Sequence, residues 1–95
     1  MGLLKIEVEY CGGGGYGPRY QELARVVKAE FPEADVSGSV GRQDSFEITI
    51  NGQLVFSKKE IGEFPNEDAV MEQIQNAADG KPMQKIDIAG PCVIM

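Results

Sequence analysis

The chain has 95 residues, with no histidine and only two cysteines, which makes several kinds of site improbable at once. Histidine is the usual general base near neutral pH and the usual nitrogen ligand of metal ions. Two cysteines are too few for a structural zinc site, and small secreted scaffolds usually carry four or more. We therefore expect no metal site and a reducing, cytoplasmic environment.

Positive charge and long apolar runs are also scarce. Nine Lys and Arg residues stand against fifteen Asp and Glu residues, and the net charge of −6 at pH 7 is spread along the chain. A nucleic-acid surface needs a basic patch, so we expect no nucleic-acid partner. No apolar run approaches the roughly 20 residues of a membrane span, and no secretory signal is evident. These features predict one soluble globular domain.

Apolar periodicity predicts a strand, a helix and a second strand in the first half of the chain. Apolar and charged residues alternate from Leu4 to Tyr10, as in a strand with one buried face. A helix is expected to begin around Pro18 and to end at Pro32, with its apolar residues on one side. Residues 34–40 form a weaker strand pattern, which Gly38 interrupts.

The second half predicts a hairpin and another helix. Residues 46–50 alternate clearly, and Asn51-Gly52 is a strong signal for a tight type I′ turn into the last strand. Residues 58–65 are interpreted as a loop. Asn66 is a good N-cap for a helix that should end before Gly80.

The predicted order is therefore β-α-β-β-β-α. Because several strands have a polar alternate face, we expect a four-stranded mixed sheet with two helices on one face. The first two strands should be parallel across the crossover helix. This is an α/β two-layer sandwich of the thioredoxin-like kind, formed by residues 1–80. Residues 81–95 have no clear periodicity and are predicted to be a flexible tail.

A glycine-rich segment joins the first strand to the first helix and contains Cys11. A redox motif with two cysteines would have its second sulfur three residues later, where this chain has Gly14. Taken alone, Cys11 is compatible with a small buried apolar residue and with a thiol activated by the helix N-terminus. The glycines also match a dinucleotide-binding fingerprint, but so short a chain lacks the parallel strands of that fold.

The segment and the hairpin resemble the selenoprotein W-like Rdx family, whose loop reads Cys-x-x-Cys or Cys-x-x-selenocysteine in a thioredoxin-like fold. The resemblance rests on these runs: Val8-Glu9-Tyr10-Cys11-Gly12, Gly15-Tyr16, Tyr20-Gln21-Glu22-Leu23, Phe46-Glu47-Ile48 and Asn51-Gly52-Gln53-Leu54-Val55-Phe56-Ser57-Lys58. It implies a thiol redox protein with Cys11 as the reactive group. Gly14 occupies the position of the second redox residue, either naturally or in place of selenocysteine.

The resemblance also implies partners. Glutathione is the expected co-substrate, with no bound cofactor, and 14-3-3 proteins are expected as redox-controlled partners. Since Gly14 supplies no second sulfur, turnover by this chain should be weak and should depend on an external thiol.

The last four residues, Cys92-Val93-Ile94-Met95, fit the C-a-a-X prenylation signal, and a terminal Met favours a farnesyl group on Cys92. The prenylated branch of the family ends in the same way. One lipid gives only marginal anchoring, so we expect a cytoplasmic protein that is partly associated with the cytosolic face of a membrane. The alternative function is then a prenylated signalling adaptor that promotes cell migration.

Overall fold

The computed structural model describes residues 4–86, which form one four-stranded mixed sheet with three helices. The elements are β1 (Lys5–Tyr10), α1 (Tyr16–Glu30), β2 (Asp35–Val40), β3 (Phe46–Ile50), β4 (Gln53–Ser57), α2 (Lys58–Ile61) and α3 (Glu67–Ala78). The strand order is β2-β1-β3-β4, with β1 parallel to β2 and the other pairs antiparallel. The predicted mixed α/β class and strand order along the chain are confirmed.

The core lies between the sheet and the two longer helices. Alternate residues of β1 and β3 point to this side, as the period of two requires, and all but the half-buried Tyr10 are almost fully buried. α1 contributes Leu23 and Val27, and α3 contributes Val70 and Ile74. Together they form one apolar cluster, whose strand residues include Ile6, Val8, Phe46, Ile48, Ile50 and Phe56. The opposite face of the sheet carries mostly Glu, Ser and Thr side chains.

The hairpin between β3 and β4 has the predicted turn and an additional irregularity. Asn51 and Gly52 have φ values of 51° and 85°, as a type I′ turn requires. The strand register shifts between Ile48 and Thr49, which is a β-bulge. As a result Val55 and its neighbour Phe56 are both fully buried, where a regular strand would bury only one of two adjacent residues.

The segment over 58–65, predicted as a loop, begins instead with the one-turn helix α2. The side-chain oxygen of Ser57 accepts a hydrogen bond from the Glu60 N–H at 3.4 Å, which caps the helix. Ser57-x-x-Glu60 is the sequence pattern of a capping box, and Gly62 ends the helix with a φ of 90°. The sequence predicted two helices, and the structure has α2 as a third.

Tyr20 of α1 lies directly on the β2 backbone. Its ring stacks on Tyr10 with the centroids 5.1 Å apart, and burial raises the pKa of the Tyr20 hydroxyl above its usual value of 10.0. A Cβ atom at Gly38 would lie 2.6 Å from the Tyr20 ring. The glycine that weakens the strand pattern is therefore what allows α1 to approach the sheet.

Residues 81–86 lie against the domain. The Ile86 N–H donates to the Val55 carbonyl at 2.7 Å, and Ile86 is 8% exposed. The Gln84 N–H donates to the side chain of Gln73 at 2.7 Å. The domain boundary at residue 80 and the flexibility of 81–95 stay predictions, and residues 87–95 lie outside the described part of the chain.

We predict that Gly38→Ala destabilises the protein by about 1–2 kcal/mol, because the added methyl group forces the stacked Tyr20 ring to move. Urea denaturation followed by far-UV circular dichroism measures the change. Gly13→Ala is the matched control, since a Cβ there has no neighbour within 4 Å and no positive φ. Equal stability of the two variants would show that the packing of the Tyr20 ring does not require glycine at position 38.

Candidate functional site

Cys11 lies at the end of β1, where the chain leaves the sheet for the glycine segment. Its backbone N–H donates to the Ser45 carbonyl at 3.0 Å, so its main chain is fixed to the neighbouring loop. The residue is half-buried, and its thiol is free among the described residues. Residues 12–15 are exposed. Cys11 is thus held at the end of a strand and is not fully buried in the core.

The loop that holds Cys11 is itself tied to β1. The Arg42 backbone N–H and its Nε both donate to Glu9 Oε2, at 2.8 and 3.0 Å. Hydrogen bonds from the Arg42 backbone and then from its guanidinium lower the pKa of Glu9 from 4.5. The hydroxyl of Ser45, which is fully buried, donates to the Arg42 carbonyl at 2.7 Å. Sequence reasoning missed this support, because a lone Ser and a lone Arg in a polar loop carry no pattern.

The helix that follows the glycine segment begins without a side-chain cap. Gly15 is the N-cap residue, and no acidic residue lies in the first turn of α1. Free N–H groups and the helix dipole favour negative charge at such an end.

Gly14 has a φ of 69°, a left-handed backbone conformation that residues with a side chain rarely adopt. A Cβ built at this position would lie 3.6 Å from the Tyr16 ring, which is an ordinary contact distance. The site therefore has room for a side chain at position 14, but the backbone conformation opposes one. The structure brings Cys11 and Gly14 into the same short segment; Cys92, the third predicted site residue, lies outside the described residues.

An aromatic cluster of Tyr16, Phe46 and Phe64 begins next to Gly14. The Tyr16 and Phe64 ring centroids are 5.1 Å apart, and the Phe46 and Phe64 centroids are 5.3 Å apart. Two cations lie on these rings. The Arg19 guanidinium carbon is 3.9 Å from the Phe64 centroid, and Lys58 Nζ is 5.4 Å from the Tyr16 centroid. Lys58, which lies in the segment predicted as a loop, is half-buried on aromatic rings, and no sequence pattern identified Arg19.

A groove of about 350 Å³ runs between α1 and α3 beside this cluster. Its walls are formed by Pro18, Arg19, Glu22, Leu23, Phe46, Phe64, Pro65, Glu67 and Val70. The Phe64-Pro65 segment forms one side. Among residues 4–86, no three His, Cys, Asp or Glu residues are grouped as a metal site requires. In the same range, no helix has the length and apolarity needed to cross a membrane.

These features define a thioredoxin-like domain with one cysteine among residues 4–86, Cys11, between its first strand and first helix. The family model described as "Rdx family" matches residues 5–76, and the chain belongs to this family of selenoprotein W-like, redox-type proteins.

Two curated relatives and one solved structure illustrate the similarity. The chain is 48% identical over 93 residues to Migration and invasion enhancer 1 of Mus musculus. This match covers 97% of this chain and 81% of that protein. It is 35% identical over 79 residues to Selenoprotein W of Danio rerio, which covers 80% of this chain and 92% of that protein. A selenoprotein W-related protein from Vibrio cholerae has the same fold, with a TM-score of 0.75, 23% identity, and coverage of 80% of this chain and 98% of its own.

Proposed function

We propose that this chain is a selenoprotein W-like thiol redox protein in which Cys11 is the reactive group and glutathione is the co-substrate. The observation that carries the proposal is the position of Cys11. It is a free and half-buried thiol at a strand end, followed by an exposed glycine segment and an uncapped helix N-terminus. This placement leaves the residue partly exposed, within reach of a substrate.

The proposed cycle uses one protein sulfur. The Cys11 thiol attacks a hydroperoxide, the O–O bond breaks, and the products are a Cys11 sulfenic acid and an alcohol or water. Glutathione then attacks the sulfenic sulfur, which gives a Cys11–glutathione mixed disulfide and releases water. A second glutathione attacks the glutathione sulfur of that disulfide, which restores the Cys11 thiol and releases oxidised glutathione. Two glutathione molecules supply the two electrons that reduce the hydroperoxide.

The cations beside the loop support an anionic thiol as co-substrate. Glutathione carries two carboxylates and one ammonium group, and Arg19 and Lys58 lie on the aromatic cluster that begins at Tyr16. The neighbouring groove of about 350 Å³ has the size of a small-molecule site. Because Gly14 cannot resolve the mixed disulfide, a bound external thiol has to do so.

We predict that Cys11→Ser reduces glutathione-dependent peroxide consumption to the uncatalysed rate, because no other described residue supplies a thiol. The assay couples oxidised glutathione formation to a reductase. Cys92→Ser is the matched control, since it removes the only other cysteine and should leave the rate unchanged. Undiminished turnover in Cys11→Ser would refute Cys11 as the reactive group.

We predict that Gly14→Cys restores a two-cysteine loop at a cost of about 1 kcal/mol in folding free energy, because the new side chain must adopt a left-handed backbone. Mild oxidation should then remove two hydrogens from the intact mass, as a disulfide with Cys11 forms. Gly14→Ala should have the same stability cost with no such mass change. If the oxidised Gly14→Cys variant carries only mixed disulfides, the loop does not bring the two positions together.

A second function is favoured by a separate observation, the Cys92-Val93-Ile94-Met95 ending together with the 48% identity to Migration and invasion enhancer 1. In this proposal Cys92 is prenylated, and the protein is a membrane-associated signalling adaptor on the cytosolic side that promotes cell migration. The groove with Phe64 and Pro65 would be a partner surface, with 14-3-3 proteins as candidate partners.

The adaptor proposal predicts that Cys92→Ser, or inhibition of farnesyltransferase, moves the membrane-associated fraction into the cytosol. Fractionation of cells that express the full chain measures this. Cys11→Ser separates the two functions, since an adaptor keeps its effect on migration in that variant and a redox protein loses it. Membrane association that persists in Cys92→Ser and under the inhibitor would contradict the lipid anchor.

A further inference from the structure

The two edges of the sheet differ. At the β4 edge, the Val55 carbonyl already accepts a hydrogen bond from the Ile86 N–H at 2.7 Å. β2 forms the other edge and pairs only with β1 among the described strands. Natural edge strands are usually protected by Lys, Pro or a bulge, whereas β2 reads Asp-Val-Ser-Gly-Ser-Val and has none of these. The β2 edge is therefore available for pairing with another strand.

The alternation of hydrogen-bonded residues along β2 shows which of its backbone groups are free. The N–H groups of Asp35 and Gly41 donate to β1 carbonyls, each at 2.8 Å. Since the direction of backbone groups alternates along a strand, the odd-numbered residues of β2 bond to β1. The N–H and C=O groups of Val36, Gly38 and Val40 consequently point away from the sheet.

The sequence of this edge is a palindrome, Val36-Ser37-Gly38-Ser39-Val40. An antiparallel pair of two such strands with a two-fold axis at Gly38 sets each Val36 opposite a Val40. It also sets each Ser37 opposite a Ser39. The outward N–H and C=O groups of all three even-numbered residues then find partners in the second copy. A palindrome pairs with itself in this way without any mismatch.

Charge and exposure fit the same arrangement. Val40 is 65% exposed, the larger value of the two exposed large apolar residues in the described chain, and the pairing covers it with Val36 of the second copy. At each end, Asp35 comes opposite the uncharged Gly41 of the other copy, so no like charges face each other. A parallel pairing would instead set Asp35 against Asp35, where like charges repel.

We propose that β2 is a self-association edge and that two copies of this chain pair antiparallel through Val36–Val40 into one continuous sheet. The assembly closes as a two-fold dimer because the second sheet edge is occupied at Val55 by Ile86. The contact is short and buries less than the ~1,200 Å² of a stable interface, so the dimer is weak, with a Kd on the order of 0.1–1 mM. The interface does not use Cys11, and reductant leaves it intact.

The test uses the full chain in reductant, over a concentration series from about 0.05 to 1 mM, which includes the expected Kd. Translational diffusion by NMR should slow with concentration. Amide exchange gives the residue-level result: the N–H groups of Val36, Gly38 and Val40 become protected as concentration rises, whereas those of Ser37 and Ser39 are protected throughout.

Two double variants with the same backbone provide the matched comparison. Ser37→Lys with Ser39→Lys places like charges opposite each other twice and should weaken association roughly tenfold. Ser37→Lys with Ser39→Asp places opposite charges at the same positions and should associate at least as well as the unmodified chain. Both serines are exposed on the polar face, so the fold tolerates the changes.

Diffusion that is independent of concentration up to about 1 mM would overturn the proposal. So would equal association of the two double variants, or protection that appears on other residues, for example around the groove between α1 and α3. These outcomes do not bear on the redox proposal, since neither Cys11 nor the aromatic cluster is changed.

Discussion

The hydrogen bonding of β1 on both sides is the constraint on which the rest of the structure depends. β1 pairs with β2 on one side and with β3 on the other, and its buried residues Ile6 and Val8 lie under the helices. An inner strand of this kind cannot slip, because a shift of one residue would turn its apolar side chains toward water. The residue that follows it, Cys11, therefore has a fixed position at the edge of the core.

The exposed glycine segment that follows Cys11 leaves this residue only half-buried. The backbone passes through left-handed conformations at Gly14 and Gly15 before α1 begins, and small residues leave the strand end open. The same backbone conformation disfavours other residues at position 14. A side chain there has space beside Tyr16, but the residue must adopt an unfavourable φ. A reactive group at this position would be held under local strain, whereas glycine is relaxed.

The sequence predicted the element order, the mixed sheet and the hairpin turn, because each depends on a local pattern that a short window contains. Alternation in β1, the Asn51-Gly52 pair and the Asn66 cap are of this kind. The bulge that buries both Val55 and Phe56 was not predictable, because it depends on pairing with β3. Gly38 lowers the strand propensity of β2 in sequence, and its role appears only in three dimensions, where the Tyr20 ring lies on it. The Ser57-x-x-Glu60 pattern is a local signal for the helix α2.

For the candidate site, the sequence identified Cys11 and Gly14 but not the groups around them. Arg19 and Lys58 are 39 positions apart in sequence and meet at Phe64 only because α1, α2 and the following loop converge. Ser45 holds Cys11 through its backbone carbonyl, which any residue type possesses, and its hydroxyl bonds to Arg42 in the same loop. Contacts of these two kinds leave no periodic trace in a single sequence.

The attachment of Ile86 to β4 has a consequence for geometry at a bilayer. The hydrogen bond at Val55 anchors the chain six residues before Cys92. Six residues span at most about 20 Å even when fully extended. A lipid on Cys92 would therefore be a short tether. It would keep the β4 side of the domain within one protein diameter of the lipid headgroups.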